Sequence, residues 1–305
     1  MKNKILQWQL KRLAHEFSQI HEPPFIIIGM HRSGTSAVTR ILRAAGGHFG
    51  YYIDPNSEAF VFLRFNHNFL GYSACSWDVI PEDFNSHSLT EKTRAVLCLL
   101  SNRHLLWSDF FQNIGKESIE ITPKMVEWRL PTLTRNVLDS YKKYKISGNT
   151  VPFWGWKDPR TTMTLPLWLK LFPNARVIHV IRNGIDASLS LWRRSKISRE
   201  GAPHCLELNY CFRLWEKYVN EGIKWQTILG DRYIEIYYED LLNDTLPCLN
   251  KLLSFVAVSS SNAESLSKLV KKGHVRTQTT EEERDLNEYA SHSHIFRHLG
   301  YNKSL

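Results

Sequence analysis

Three short runs of mostly apolar residues stand out along the chain and predict buried strands. They are Phe25–Gly29, Arg176–Ile181 and Tyr233–Tyr238. Continuous runs of this kind are typical of parallel strands that are covered on both faces, whereas a strand with one face in water alternates apolar and polar residues. A shorter run, Phe153–Trp156, predicts a fourth strand.

Segments with apolar residues at helical spacing alternate with these strands. Those expected to form helices are Thr35–Ala45, Thr164–Leu171, Ile185–Arg194 and a long segment around Cys211–Trp225. Strands that alternate with helices predict an α/β fold in which a central parallel sheet is covered on both sides. We expect one domain over residues 1–305, with an N-terminal helix within residues 1–22 and a helical insertion at about residues 60–150.

The composition is that of a globular protein and excludes several other classes. Of the 305 residues, 43% are hydrophobic and 23% are charged, and the net charge of +9 suits an anionic ligand or surface. The longest apolar runs have six residues, whereas a membrane span needs roughly 20. The charged N-terminus has no apolar signal core, and five cysteines without a C-x-x-C pair favour neither structural zinc nor disulfides. We therefore expect no transmembrane segment and a cytoplasmic location.

Residues 29–36 (GMHRSGTS) have the G-x-x-x-x-G spacing of a phosphate-binding loop between a strand and a helix. Backbone N–H groups and the positive end of the helix dipole form an anion cradle at such a helix start, and Gly34 lets the backbone approach a phosphate. The lysine of a nucleoside-triphosphatase loop is replaced by Thr35, and the basic residue is instead Arg32. This departure argues against a standard ATPase or kinase. The alternative is a glycine turn with an incidental arginine, but the position between a buried strand and an amphipathic helix favours a phosphate-binding loop.

A second strand-to-helix unit places further polar residues at the predicted strand ends. Arg182 directly follows a strand, Asp186 lies near the helix start, where it suits the dipole and can cap the helix, and Ser190 comes eight residues after Arg182. In α/β proteins, side chains at strand ends face the ligand crevice. The alternative is a local ion pair between Arg182 and Asp186, with a serine on the helix surface.

These two units resemble the two donor-binding signatures of the sulfotransferases that use PAPS (3′-phosphoadenosine 5′-phosphosulfate). Residues 24–45 look like the 5′-phosphosulfate loop in its Arg-Ser-Gly-Thr form, and residues 176–194 are similar to the 3′-phosphate signature. The resemblance implies a P-loop-NTPase-like three-layer fold and PAPS as the sulfuryl donor. It implies that Arg32 steadies the leaving phosphate and that Arg182 and Ser190 bind the 3′-phosphate. The implied contacts of the loop are His31, Arg32, Ser33, Gly34, Thr35 and Ser36.

Residues 155–161 (GWKDPRT) resemble the Lys-Asp-Pro-Arg segment of bacterial sulfotransferases and the Lys-Asp-Pro segment of tyrosylprotein sulfotransferases. The resemblance implies that Lys157 stabilises the transferring group. Asp158 could instead hold magnesium in a kinase with a variant loop. A purely structural ion pair between Asp158 and Arg160 is the third interpretation.

Sulfuryl transfer needs a base that takes the proton of an acceptor hydroxyl. In tyrosylprotein and several bacterial sulfotransferases the base is a glutamate after the first helix, and by this resemblance we choose Glu58. The alternatives are that Glu58 only caps the next helix and that His67 is the base. Arg32, Glu58 and Lys157 would then form the catalytic set.

Three further segments receive weaker interpretations. Tyr237–Leu242 resembles a strand-end tract of the family and is expected to be structural. Lys272 and Arg276 are candidates for late donor contacts, again by resemblance. The charged run Glu281–Asp285 is expected to be a solvated face.

The sequence thus favours a PAPS-dependent sulfotransferase that needs no metal and acts on an acceptor hydroxyl or amine. Whether the acceptor is a carbohydrate, lipid, peptide or small metabolite stays open, as does the oligomeric state. The competing hypotheses are a nucleotide-dependent kinase with a variant loop and an inactive homologue that binds PAPS. A nucleic-acid-binding module is disfavoured, because the basic residues are spread along the chain without a module motif.

Overall fold

The computed structural model describes residues 23–50, 53–71, 75–82, 84, 152–197, 202–270 and 281–304. The helix expected within residues 1–22 and the candidate donor contacts Lys272 and Arg276 lie outside these ranges. So does most of the insertion expected at about residues 60–150, of which residues 60–71, 75–82 and 84 are described.

Four parallel strands form the described sheet, in the order β2-β1-β3-β4. The strands are β1 (Phe25–Gly29), β2 (Gly155–Lys157), β3 (Arg176–Ile181) and β4 (Tyr233–Tyr237). Three of them match the expected runs closely, with β4 ending one residue early. The short strand β2 begins later than expected, because Gly155 pairs with Phe25, the first residue of β1. Trp154, just before β2, forms an isolated bridge with His48, and its carbonyl oxygen accepts from the N–H of Phe25.

The described helices surround this sheet. They are α1 (Thr35–Ala44), α2 (Phe60–Gly71), α3 (Thr161–Leu171), α4 (Gly184–Ile197), α5 (Leu208–Leu229), α6 (Tyr238–Asn243), α7 (Thr245–Phe255), α8 (Ala263–Ser267), α9 (Glu281–Ser291) and α10 (His294–His298). None of the helices in the described ranges is long and apolar enough to cross a membrane.

Helix α3 begins at Thr161, three residues before the expected start at Thr164. Threonine is a poor helix former, so the pattern favoured a later start. Tertiary contacts override this preference, because Asn66 donates to Thr161 and accepts from Thr164, while the hydroxyl of Thr162 accepts from the N–H of Gly29.

The sheet separates two apolar cores, which gives the three layers expected for this fold. On one face, Ile27 and Ile178 pack with α1 and α7. The other core is built around α4 and α5, and the side chain of His179 on β3 lies against Gly222 of α5. All four strands run in the same direction, so their last residues lie along one edge of the sheet, the carboxyl edge. These residues are Gly29, Lys157, Ile181 and Tyr237.

The C-terminal helices are part of the second core. Leu286 of α9 and Phe296 of α10 are fully buried against α5. The charged run Glu281–Asp285 was expected to be a solvated face, and this expectation is only partly met because Glu283 is 2% exposed. Its carboxylate forms an ion pair with Arg193 of α4, which ties α9 to the sheet-covering layer.

Candidate active site

A cavity of about 500 Å³ opens at the carboxyl edge of the sheet. Ligands of open α/β sheets bind at this edge. The residues that line it come from all three motifs that the sequence singles out. The lining residues with ionisable side chains include His31, Arg32, Glu58, Lys157, Arg160 and Arg182.

The loop after β1 has the conformation of an anion cradle. Gly34 has φ +94°, and a Cβ atom there would lie 2.3 Å from Cδ2 of Tyr238, so only glycine fits. No side chain caps the start of α1 at Gly34. Within the described structure, the buried hydroxyl oxygen of Ser33 has no hydrogen-bond partner. Amide and hydroxyl donors are thus available where a phosphate would sit.

The second signature, residues 176–194, contacts this loop, so the segments expected to bind the two ends of the donor lie side by side. The side-chain Nε of Arg32 donates to the hydroxyl of Ser190 at 3.0 Å, although the residues are 158 positions apart. Arg182 donates from Nη1 to the carbonyl oxygen of Arg32 at 3.2 Å, and its guanidinium lies 5.1 Å from the ring centre of Tyr238. The structure therefore brings Arg32, Arg182 and Ser190 together.

The sequence suggested Asp186 as the cap of α4, but the structure shows that Asn183 caps this helix. The Oδ1 atom of Asn183 accepts from the N–H groups of Ile185 at 2.9 Å and Asp186 at 3.3 Å. An amide oxygen suits this role because it satisfies N–H groups that the helix leaves unpaired. The carboxylate of Asp186 instead faces Arg182 at 3.8 Å, so the local ion pair considered from the sequence also exists.

Glu58 lies between two cations at the cavity wall. Its side chain is only 5% exposed, with Oε1 3.2 Å from Nζ of Lys157 and Oε2 3.0 Å from Nη1 of Arg160. The loop holds the backbone in place, since Asp54 accepts from the N–H of Glu58 at 2.6 Å. Helix α2 begins at Phe60, and the carboxylate contacts Lys157 and Arg160, which is not the arrangement of a helix cap.

The ion pair between Asp158 and Arg160 that was considered from the sequence is present at 2.9 Å. Arg160 uses the same Nη1 atom to contact Glu58, and it lines the cavity. The other oxygen of Asp158 accepts from Asn66 of α2 at 2.8 Å. The Lys-Asp-Pro-Arg segment thus contributes two cations to the site.

Burial and charge shift the protonation equilibria of this cluster. Burial lowers the pKa of Lys157, an effect that the carboxylates of Glu58 and Asp158 oppose. Burial also raises the pKa of Asp158, against the pull of Arg160. The pKa of His31 lies well below its ordinary value, first because the ring is buried and then because of nearby positive charge. His31 is therefore neutral at neutral pH.

The two histidines considered from the sequence occupy different places. His31 lines the cavity with its ring 4.4 Å from that of Trp77, and its buried Nε2 has no partner among the described side chains. His67 is exposed on α2 and is not among the residues that line the cavity. Its neighbour Asn66 is fully buried.

Sequence reasoning missed Arg194 and Tyr238 as contributors to the site. Arg194 donates to Oδ1 of Asn56 at 3.1 Å and so joins α4 to the Glu58 loop. It follows Ser190 by one helical turn, and this spacing was the available signal. Tyr238, expected to be structural, lines the cavity between Gly34 and Arg182.

Comparison with known proteins finds one family model that matches this chain and several solved structures that are similar to it. The sulfotransferase family matches residues 23–261. A sulfotransferase from Alicyclobacillus acidocaldarius is similar at 12% identity and a TM-score of 0.45, over 88% of this chain and 92% of that one. The sulfotransferase domain of the Synechococcus PCC 7002 olefin synthase is similar at 16% identity and a TM-score of 0.44, over 90% and 97%. No curated protein sequence matches this chain.

The family match includes all three segments that meet at the cavity: residues 29–36, 155–161 and 176–194. It covers the whole described sheet and the helices that carry the site. The chain therefore belongs to the sulfotransferase family, the enzymes that transfer sulfuryl groups.

Proposed function

We propose that this protein transfers a sulfuryl group from PAPS to an acceptor hydroxyl, with Glu58 as the base. The observation that carries the proposal is the 3.0 Å contact between Arg32 and Ser190. It joins the loop that would hold the 5′-phosphosulfate to the helix that would hold the 3′-phosphate. PAPS carries a 3′-phosphate that ATP lacks, and we assign the binding of this group to Arg182 and Ser190.

The residues around the cavity suit an anionic donor of this kind. Ser33 Oγ and Arg182 Nε are buried polar atoms without a partner in the described part of the chain. A guanidinium binds phosphate oxygens in pairs, so Arg32 and Arg182 are chemically matched to the two ends of the donor. Gly34 leaves room for the backbone N–H groups to approach the phosphate.

The proposed reaction is an in-line displacement at sulfur. The acceptor oxygen forms a bond to sulfur while the bond between sulfur and the bridging phosphate oxygen breaks, and that electron pair stays on the phosphate. Glu58 takes the proton of the acceptor hydroxyl. Lys157 and Arg32 stabilise the charge that develops on the sulfuryl oxygens and on the leaving phosphate.

A phosphoryl-transfer reaction fits the described geometry less well. The kinase hypothesis needs Asp158 as a magnesium ligand, but its two oxygens already accept from Arg160 and Asn66. Thr35 stands where the phosphate-binding lysine of such enzymes is found. We therefore favour sulfuryl transfer.

The proposal predicts that Glu58→Gln removes turnover and leaves donor binding intact. Loss of a general base costs about 10²–10⁴-fold in rate. Turnover is measured as release of labelled sulfate from PAPS with water as the acceptor, and binding as the affinity for adenosine 3′,5′-bisphosphate. His67→Gln is the matched control, since His67 lies on the neighbouring helix but does not line the cavity.

Wild-type turnover in Glu58→Gln would exclude Glu58 as the base. Loss of turnover in His67→Gln alone would transfer that role to the histidine. A wild-type protein that binds the bisphosphate but moves labelled sulfate neither to water nor to hydroxyl acceptors of the carbohydrate, lipid, peptide and small-metabolite classes would be the inactive homologue, and the proposed activity would be wrong.

A further inference from the structure

We propose that Arg160 is a positioning residue that holds the Glu58 carboxylate in its catalytic orientation. A buried chain of hydrogen bonds from Asn66 through Asp158 fixes Arg160 in turn. This inference rests on the proposed role of Glu58 as the base. We call the four residues Asn66, Asp158, Arg160 and Glu58 the base brace.

Arg160 connects the two carboxylates of the base brace through a single nitrogen. Its Nη1 atom lies 3.0 Å from Oε2 of Glu58 and 2.9 Å from Oδ1 of Asp158. The backbone N–H of Arg160 also donates to Oδ1 of Asp158 at 3.1 Å, so both ends of the residue are held by the same carboxylate. The side chain is only 13% exposed, and water therefore competes little for these bonds.

Asn66 fixes the far end of the brace. Its Nδ2 donates to Oδ2 of Asp158 and to the hydroxyl of Thr161, each at 2.8 Å. Its Oδ1 accepts from the hydroxyl of Thr164 at 2.6 Å and from Nε1 of Trp168 at 2.7 Å. Asn66 and Asp158 are both 0% exposed. All four contacts agree on one orientation of the amide, and this orientation aims Nδ2 at Asp158.

A glutamate base gains from such support because its side chain has several rotatable bonds. Lys157 holds Oε1 of Glu58 at 3.2 Å, and one such contact would still let the carboxylate turn about it. The contact from Arg160 to Oε2 fixes the second oxygen and with it the plane of the carboxylate. A displacement of about 1 Å at a reacting group costs on the order of 100-fold in rate.

The base brace makes no direct contact with the residues proposed to hold the donor. Arg160 and Glu58 line the same cavity as Arg32 and Arg182, whereas Asn66 and Asp158 do not. Within the described ranges, no hydrogen bond or ion pair joins the brace to Arg32, Arg182 or Ser190. Weakening the brace should therefore slow the chemical step without weakening donor binding. A residue that served only the fold would lower the stability without this separation of rate and affinity.

The test compares Arg160→Met, Arg160→Lys and Asp158→Asn with the wild type. Turnover is again the release of labelled sulfate from PAPS by water, and binding is the affinity for adenosine 3′,5′-bisphosphate. We expect Arg160→Met and Asp158→Asn to lose about 100-fold in turnover, the cost of a displaced reacting group. Their affinity for the bisphosphate should stay within about threefold, a change of less than 1 kcal/mol. Arg160→Lys should recover part of the rate, because one nitrogen makes both contacts.

Arg193→Met is the matched control. It also removes an arginine that pairs with a buried glutamate, since Glu283 is 2% exposed, but Arg193 and Glu283 do not line the cavity. We expect this variant to keep wild-type turnover at a temperature where it is folded.

Three results would overturn the inference: wild-type turnover in Arg160→Met, equal losses of turnover and affinity, or a lysine variant no better than the methionine variant. Failure of the proposed function looks different. In that case the wild type itself moves no labelled sulfate to water or to a hydroxyl acceptor, whether or not it binds the bisphosphate. If Glu58→Gln is inactive while Arg160→Met is fully active, the base stands and only the brace is wrong.

Discussion

At the scale of single residues, the candidate site combines side chains that local motifs reveal with others that only the fold brings in. Arg32, Lys157 and Arg182 could be selected from the sequence because each lies at or shortly after the end of a buried strand, within a short motif. The contact of Arg160 with Glu58 was not, since the two residues are 102 positions apart and neither segment signals the other. Tyr238 was hidden for the same reason, because its ring meets Gly34 only in the folded chain.

His179 predicts a pH-dependent stability that is independent of the active site. Its ring is fully buried, with Nδ1 2.6 Å from the hydroxyl of Tyr233, and burial lowers its pKa to about 3. Below about pH 6.5, the ordinary pKa of histidine, the unfolded chain binds a proton at this residue that the folded state does not bind. The free energy of unfolding should therefore fall as the pH drops below about 6.5, by about 1.4 kcal/mol per pH unit from this residue.

Urea unfolding at about pH 7.5 and about pH 5.5 measures this effect in the wild type and in His179→Gln. The wild type should lose about 1.4 kcal/mol more than the variant between the two conditions. Equal losses would show that His179 takes up its proton in the folded state. His31 and the other titrating groups are common to both proteins and cancel in the comparison.

At the scale of elements, the apolar pattern was sufficient for the strands and less so for the helix boundaries. The runs that became β1 and β3 are almost wholly buried and rich in β-branched residues, and β4 contains both buried and partly buried residues. These patterns are typical of strands. Helix α3 started early because Thr161 and Thr164 bond to Asn66, a residue of a distant helix. The helix propensities of the residues alone could not have indicated that α3 starts at Thr161.

The packing of α5 on the sheet makes a prediction about a glycine. A Cβ atom at Gly222 would lie 2.4 Å from Cε1 of His179, whose ring is buried and held by Tyr233. We expect Gly222→Ala to destabilise the protein by about 1–3 kcal/mol, the usual cost of overpacking. Gly71→Ala is the control, because none of the described residues lies within 4 Å of the added methyl group.

Chemical denaturation distinguishes these two variants. Gly222→Ala should unfold at lower denaturant concentration, while Gly71→Ala should match or exceed the wild type. If Gly222→Ala were as stable as the wild type, α5 would not press on β3 as closely as described.

At the scale of the whole molecule, neither the strand order nor the role of the C-terminus could be obtained from local patterns. The order β2-β1-β3-β4 depends on which strands meet across long connections. The family match ends at residue 261, yet α9 and α10 lie beyond it and complete the core around α5. The buried Phe296 is the clearest sign that these helices belong to the fold.

Truncation of this side chain tests that role. We expect Phe296→Ala to lower the free energy of unfolding by about 3–5 kcal/mol, the usual cost of removing a buried phenylalanine. Leu246→Ala is the comparison, since Leu246 is 43% exposed and should cost little. Near-equal effects of the two changes in denaturant unfolding would mean that α10 does not complete the core.

The central claim is that the cavity recognises a nucleotide with a 3′-phosphate. The most direct test is a thermal-shift titration with adenosine 3′,5′-bisphosphate, beside ADP and Mg-ATP, on the wild type, Arg182→Ala and Arg176→Ala. Arg176 is the control because it begins β3 at the opposite end from Arg182 and stacks on Phe255. A ligand that binds only the folded state raises the melting temperature according to its affinity.

The account predicts that the bisphosphate stabilises the wild type and Arg176→Ala more than either ADP or Mg-ATP does. Arg182→Ala should bind it about tenfold to 100-fold more weakly, as expected for the loss of charge-assisted hydrogen bonds. Stabilisation by Mg-ATP in preference to the bisphosphate, or an unchanged response in Arg182→Ala, would contradict the account.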